Sequence, residues 1–188
     1  TAITLFRENG YEATTMRGVA KAAHVSLGSA YHYYAGKSDL VRDYYERTQR
    51  RHEEDVERIL VSTDEASERL VAVMKSKLDL MLDDRPWVAE ITGFIVQPGN
   101  VLGAFDESNA DIRTRQTKIF GRCIEGLKLG EREAAFADLL WAAQLGVLLY
   151  FVHDTSENAE RTRTLVDDAV RLGVPLLLAS KTPMGEML

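Results

Sequence analysis

Residues 14–37 restrict the possible folds of this chain more than any other stretch. They read Thr-Thr-Met-Arg-Gly-Val-Ala-Lys-Ala-Ala-His-Val-Ser-Leu-Gly-Ser-Ala-Tyr-His-Tyr-Tyr-Ala-Gly-Lys. Two short helical patterns meet at a tight three-residue turn, His24-Val25-Ser26. Thr15 is placed to cap the first helix and Ser26 the second, each offering a side-chain oxygen to the orphan amides of a first turn. Val19, Ala20 and Ala23 give the first helix an apolar stripe whose small members let its partner approach closely. His24 falls where a left-handed backbone is required, a conformation His adopts more readily than most residues but less readily than Gly. On the second helix, about 27–34, Ala30 and Tyr34 lie four apart and point inward, while Gly28, Ser29, His32 and Tyr33 point elsewhere. Such a polar and aromatic outer face is the anatomy of a helix that reads base edges. The alternative, a hairpin that merely packs, gives so many small and hydroxyl-bearing exposed residues nothing to do.

The rest of the chain repeats the 3.6-residue period with no sustained alternation, which predicts an all-α protein of about nine helices. The first helix ends at Gly10. Ser38 is placed to cap a long fourth helix reaching about residue 61, with Asp39 at the positive end of its dipole. That helix is apolar around Leu40 and Tyr44 and again from Val56, with a wholly polar middle from Glu46 to Asp55. The pattern predicts a solvated connector, with domains at 1–50 and 51–188. Thr63 or Asp64 caps the fifth helix, Arg85-Pro86 precedes the sixth and Pro98-Gly99 stops it. The eighth helix, about 131–153, has an unusually wide apolar face. The ninth, about 157–172, closes at Gly173, with Pro175 permitting only a short final turn.

Charge divides along the same line. Of the net −6 in 188 residues, residues 1–51 carry eight Lys or Arg against five acids, leaving −9 for the remainder. A mildly basic end on an acidic body suits a nucleic-acid reader with a separate second domain. The single cysteine, Cys123, excludes an intrachain disulfide and fits a reducing cytosol. No run approaches the roughly 18 uninterrupted apolar residues of a membrane span, and no signal peptide is visible, so a cytoplasmic protein is expected. The chain opens without Met inside its first helix, which suggests a preceding segment.

Residues 3–45 resemble the DNA-binding domain of the tetracycline-repressor (TetR) family. The shared pattern is Phe6, Gly10-Tyr11, Thr14-Thr15, Ala20, Ala23, Val25-Ser26, Gly28, Ser29, Tyr31, Tyr34, Lys37 and Leu40. His24 stands where that family usually has Gly, and Gly18 where an acid often completes the cap. The resemblance implies a three-helix helix-turn-helix domain followed by a helical effector-binding and dimerisation domain. It also implies that Thr15, Tyr31 and Lys37 touch DNA phosphates, with Arg17, Ser26, Gly28, Ser29, His32 and Tyr33 completing the operator-facing set.

Aromatic and sulfur-bearing side chains gather on the fifth to eighth helices. Residue by residue they read as ordinary core, but taken with the family they resemble an apolar effector pocket of Met74, Leu78, Met81, Trp87, Ile91, Phe94, Phe120, Cys123, Trp141 and Gln144. Phe105 and Tyr150 belong to the same gathering, and Gln97, Arg122 and His153 join Gln144 as polar groups able to orient a ligand. The broad faces of the eighth and ninth helices resemble the pair that builds the family's four-helix homodimer interface. The expected function is a DNA-binding transcriptional regulator, a repressor released from double-stranded operator DNA by a small apolar or aromatic effector. The alternative is a helical protein-interaction bundle without DNA binding. No nucleophile elbow, His-Glu-x-x-His or phosphate loop is present, so neither catalysis nor a cofactor is expected. His52 and Asp55 lie within the charged run 50–57, which reads as a solvated face and not as a metal site.

Overall fold

The computed structural model describes residues 1–179, and every regular element among them is helical. These elements are α1 (Ala2–Asn9), α2 (Met16–Ala22), α3 (Leu27–Tyr33), α4 (Lys37–Ser62), α5 (Ala66–Met81), α6 (Arg85–Ile95), α7 (Ala110–Ile124), α8 (Glu133–His153) and α9 (Glu160–Ala179). They form two compact units. Unit 1 comprises residues 1–51 and 80–114, and unit 2 residues 52–79 and 115 onward. The first unit therefore contains α6 as well as the three N-terminal helices.

Unit 1 is built on aromatic packing. Phe6 of α1 lies 5.4 Å from Tyr11 and 5.1 Å from Trp87 of α6, and Trp87 meets Tyr44 of α4 edge-on at 4.8 Å. Asp84, buried just before α6, accepts hydrogen bonds from Arg7 Nε at 2.6 Å and Trp87 Nε1 at 3.0 Å. A buried carboxylate is tolerable only with such charge-assisted partners. The loop after α1 is fixed from the same helix: Glu90 of α6 accepts from the Glu12 amide at 3.0 Å. Gly10 has φ 83°, which favours glycine, and a Cβ there would meet Glu90 Oε1 at 2.6 Å and push that carboxylate aside.

In unit 2, α8 packs on α9. The inner stripe of α8 is Ala137, Trp141, Gln144, Val147 and Phe151; that of α9 is Thr162, Val166, Val170 and Val174. Residues Gly130–His153 are long and apolar enough, by length and composition, to cross a membrane. A buried stripe runs along one face of α8, while apolar residues such as Leu139 and Tyr150 lie exposed on another. Asp154 joins α8 to α9, accepting from the backbone amides and hydroxyls of Ser156 and Thr162 at 2.6–2.8 Å. Burial opposes its ionisation, but these four bonds hold the carboxyl well below the usual carboxylate range.

Three local expectations change. Asp39, not Ser38, closes the start of α4, its Oδ2 accepting from the Ala35 amide at 2.7 Å. The ninth helix does not end at Gly173 but runs through Pro175 to Ala179. Pro175 withholds one amide from the ladder, and the buried Val174 on the same inner stripe offsets that loss. The middle of α4 is not solvated throughout: Thr48, Gln49 and His52 are buried. Val41, Tyr44, Thr48, His52 and Val56 recur at helical spacing, so the buried stripe continues while its chemistry turns polar.

That turn is satisfied by partners distant in sequence. His52, 1% exposed, donates from Nε2 to the Val73 carbonyl at 3.0 Å and accepts at Nδ1 from Gln116 Nε2 at 3.2 Å, a tautomer fixed by the carbonyl. Burial, then the nearby Lys77 charge, pushes its pKa down to about 3, so the imidazole is neutral. Burial also lowers Lys77, to about 8, with Glu53 opposing. Arg115 pairs bidentately with Glu53 at 2.7 and 2.9 Å.

Candidate nucleic-acid interface

The helix-turn-helix is closed by contacts spanning only a few residues. Thr15, extended at φ −118°, accepts from the Gly18 amide at 3.1 Å, and Ser26 accepts from the Ser29 amide at 3.0 Å. Between them His24 takes φ 56°. The Val25 amide reaches back to the Ala20 carbonyl at 3.0 Å and the His24 amide to Lys21 at 3.2 Å. These are the two bonds of a Schellman closure, here built on histidine where glycine is commonest. Glycine at this site would relieve the left-handed strain and give up a side chain on the outer face.

The second helix, α3, buries Ala30 and leaves Gly28, Ser29, Tyr31, His32 and Tyr33 exposed. Tyr33 is 78% exposed and meets His32 edge-on at 5.1 Å. Tyr34 is half-buried, as its inward position predicts, with its hydroxyl 3.5 Å from Asp43 Oδ2. Arg17 and Lys21 of α2 are exposed. The surface thus offers hydroxyls, an imidazole, flat rings and guanidinium or ammonium groups on one short capped helix and its neighbour. Those are the groups that meet phosphates and base edges.

Lys37 is engaged within unit 1. Its ammonium donates to the Tyr11 carbonyl at 2.7 Å and the Glu12 carbonyl at 3.2 Å, and lies 4.3 Å from the Tyr11 ring centroid. An ammonium has three donors, so one remains for a phosphate. Together with Glu90, Lys37 grips the loop between α1 and α2. Neither Glu90 nor Asp84 carried a sequence signal, because their partners lie more than seventy residues away.

The residues expected around an effector fall into two groups. Met81, Trp87, Ile91 and Phe94 belong to unit 1, where Trp87 serves Phe6, Tyr44 and Asp84 and Phe94 approaches Tyr11 at 6.4 Å. Met74, Leu78, Phe120, Cys123, Trp141 and Gln144 are all buried in unit 2. Burial pushes the Cys123 thiol up to about 12, so it behaves as a small apolar group. Phe105, Tyr150, Gln97 and His153 are exposed, and exposed Arg122 pairs with Glu57. Among the described residues no group of three His, Cys, Asp or Glu could hold a metal ion.

Comparison with known proteins points one way. Residues 1–44 match the model of bacterial regulatory proteins of the tetR family, and residues 69–188 match that of the tetracyclin repressor-like C-terminal domain. The fold resembles that of a protein from Syntrophomonas wolfei described as a TetR-family transcriptional regulator. Identity is 16%, coverage 98% of this chain and 94% of the other, and TM-score 0.70. It also resembles Thermus thermophilus FadR, a TetR-family repressor solved with lauroyl-CoA, at 18% identity, 100% and 94% coverage, and TM-score 0.69. A Clostridium perfringens protein described as a fatty acid metabolism regulator is similar at 18% identity, 92% and 95% coverage, and TM-score 0.60. Comparison with curated proteins gives no match.

Proposed function

Because the chain belongs to the TetR family of bacterial regulatory proteins, we propose that it is a cytoplasmic, homodimeric repressor whose paired α3 helices read operator DNA and which a small apolar effector releases. The observation that carries this is the short, capped α3 with Gly28, Ser29, Tyr31, His32 and Tyr33 all exposed around one buried alanine. Thr15, Arg17, Tyr31 and Lys37 supply phosphate contacts, which set affinity and register. Ser29, His32 and Tyr33 approach base edges, which set sequence preference. Ser26 and Gly28 form the helix start that comes nearest the backbone.

Two recognition helices about one DNA turn, roughly 34 Å, apart require a twofold partner. The outer faces of α8 and α9, with exposed Leu139, Tyr150, Leu165, Leu172 and Leu176, support that pairing. The effector site is the unit 2 group Met74, Leu78, Phe120, Cys123, Trp141 and Gln144. Met81, Trp87, Ile91 and Phe94 are the core through which unit 1 holds its reading helices in register. Effector and operator then oppose each other by a coupling free energy of about 1–3 kcal/mol, roughly 5- to 150-fold in affinity.

The test is selection of bound duplexes from fragmented genomic DNA, followed by release with candidate effectors. Long-chain acyl-CoA is the first probe, because the similar FadR was solved with lauroyl-CoA. Salt-dependent binding of a palindromic duplex is expected. Binding to no duplex would favour the helical protein-interaction bundle.

A further inference from the structure

We propose that the unit 2 effector site selects a ligand with an apolar body and one neutral head group that both donates and accepts a hydrogen bond, read by the Gln144 carboxamide. The inference rests on the effector reading above. Gln144 is 3% exposed, and among the described residues neither its Oε1 nor its Nε2 has a hydrogen-bond partner. It sits in the middle of the inner stripe of α8, flanked by Trp141 and Val147 and, a turn further each way, by Ala137 and Phe151. All four neighbours are apolar and buried, so the stripe has a single polar interruption.

Two other buried polar groups of the same unit are paired at every polar atom of the side chain. His52 pairs both ring nitrogens, and the Asp154 carboxylate takes four donors. A carboxamide left with an open acceptor and open donors is an exception that calls for a reason. Leucine or methionine would fill the position with no such cost. An arriving group that offers one donor and one acceptor removes the cost, and a primary amide or a lactam does so. A charged head is disfavoured. A charge at Gln144 would be buried in an apolar stripe with no counter-ion among the stripe residues Ala137, Trp141, Val147 and Phe151.

The experiment uses the whole chain and three probes of matched length: octanamide, octanoate and 1-chlorooctane, titrated by calorimetry and thermal shift. Octanamide should bind tightest. Gln144→Met should weaken octanamide by about 10- to 100-fold, the factor for leaving a buried polar pair unmade, and leave 1-chlorooctane essentially unchanged. Without ligand, Gln144→Met should melt at or above the unsubstituted protein, because it removes an unpaired buried amide. Tightest binding by octanoate, undiminished octanamide binding in Gln144→Met, or a lower melting temperature of the unliganded variant would each overturn the proposal. If none of the three probes binds while lauroyl-CoA still releases the operator, the head-group inference fails and the effector reading stands. If lauroyl-CoA and all three probes fail to bind, both fall.

Discussion

Replacing Lys37 with methionine separates two roles that meet in one ammonium group. The structure gives Lys37 two carbonyl partners, Tyr11 at 2.7 Å and Glu12 at 3.2 Å, and the face of the Tyr11 ring at 4.3 Å. Charge-assisted hydrogen bonds contribute about 1.5–3 kcal/mol when well shielded, and a cation over an aromatic ring, where the cation stays partly solvated, about 0.5–1. Because this side chain is half-buried, solvent reduces the sum, and a loss of about 1–2 kcal/mol is expected. For a chain of this size that lowers Tm by about 2–8 °C. Methionine keeps the stem, so the loss reports the ammonium and not the packing.

The operator role predicts a second, independent effect. One phosphate contact per protomer adds about 0.9 to the slope of log affinity against log salt, so raising salt from about 50 to 200 mM should separate the two proteins by a further factor of roughly 3.5 per protomer. Fluorescence anisotropy with a labelled operator across that salt range, beside thermal melts of the free protein, reads both. An unchanged slope refutes the phosphate contact. An unchanged Tm refutes the clasp, and no change in either refutes the whole argument from geometry.

Leu139 is 59% exposed on the outer face of α8, so Leu139→Glu should yield folded monomers by light scattering. Val147, 6% exposed, faces the core, and Val147→Glu should instead unfold unit 2 by burying an unpaired carboxylate. Tyr33→Ala should alter the preferred operator in a duplex selection while shifting stability by no more than about 0.5 kcal/mol, as for other exposed substitutions. Asp154 is ionised more readily in the folded chain than in the unfolded one, so its contribution is present above the ordinary aspartate pKa and is lost as pH falls below it. Asp154→Asn should therefore be less stable at neutral pH and show a flatter acid limb in melts from pH 7 to 2, and identical limbs would refute the assignment.

The helix-turn-helix was legible from residues 14–37 because the caps and the turn that close it are short in sequence. Thr15 bonds Gly18, Ser26 bonds Ser29, and the left-handed His24 closes a turn onto Ala20 and Lys21. Caps and turns of this kind depend on which residue stands three to five places away, and a sequence states that directly. The all-helical class and the apolar faces of α8 and α9 followed from periodicity for the same reason.

Partnership across long separations was not legible. Nothing near His52 in the chain foretells Val73 or Gln116, so a charged run read as solvent-facing while one residue of each turn was in fact buried. The sequence around Trp87 does not announce that Phe6 and Tyr44 pack against it from helices more than forty residues earlier. On α8, alternation of two apolar faces hid which was inner and which outer. Only tertiary packing puts Val147 inside and Leu139 outside. A polar side chain acquires its meaning from the partner that folding brings or withholds: the fold satisfies His52, and among the described residues it leaves Gln144 open.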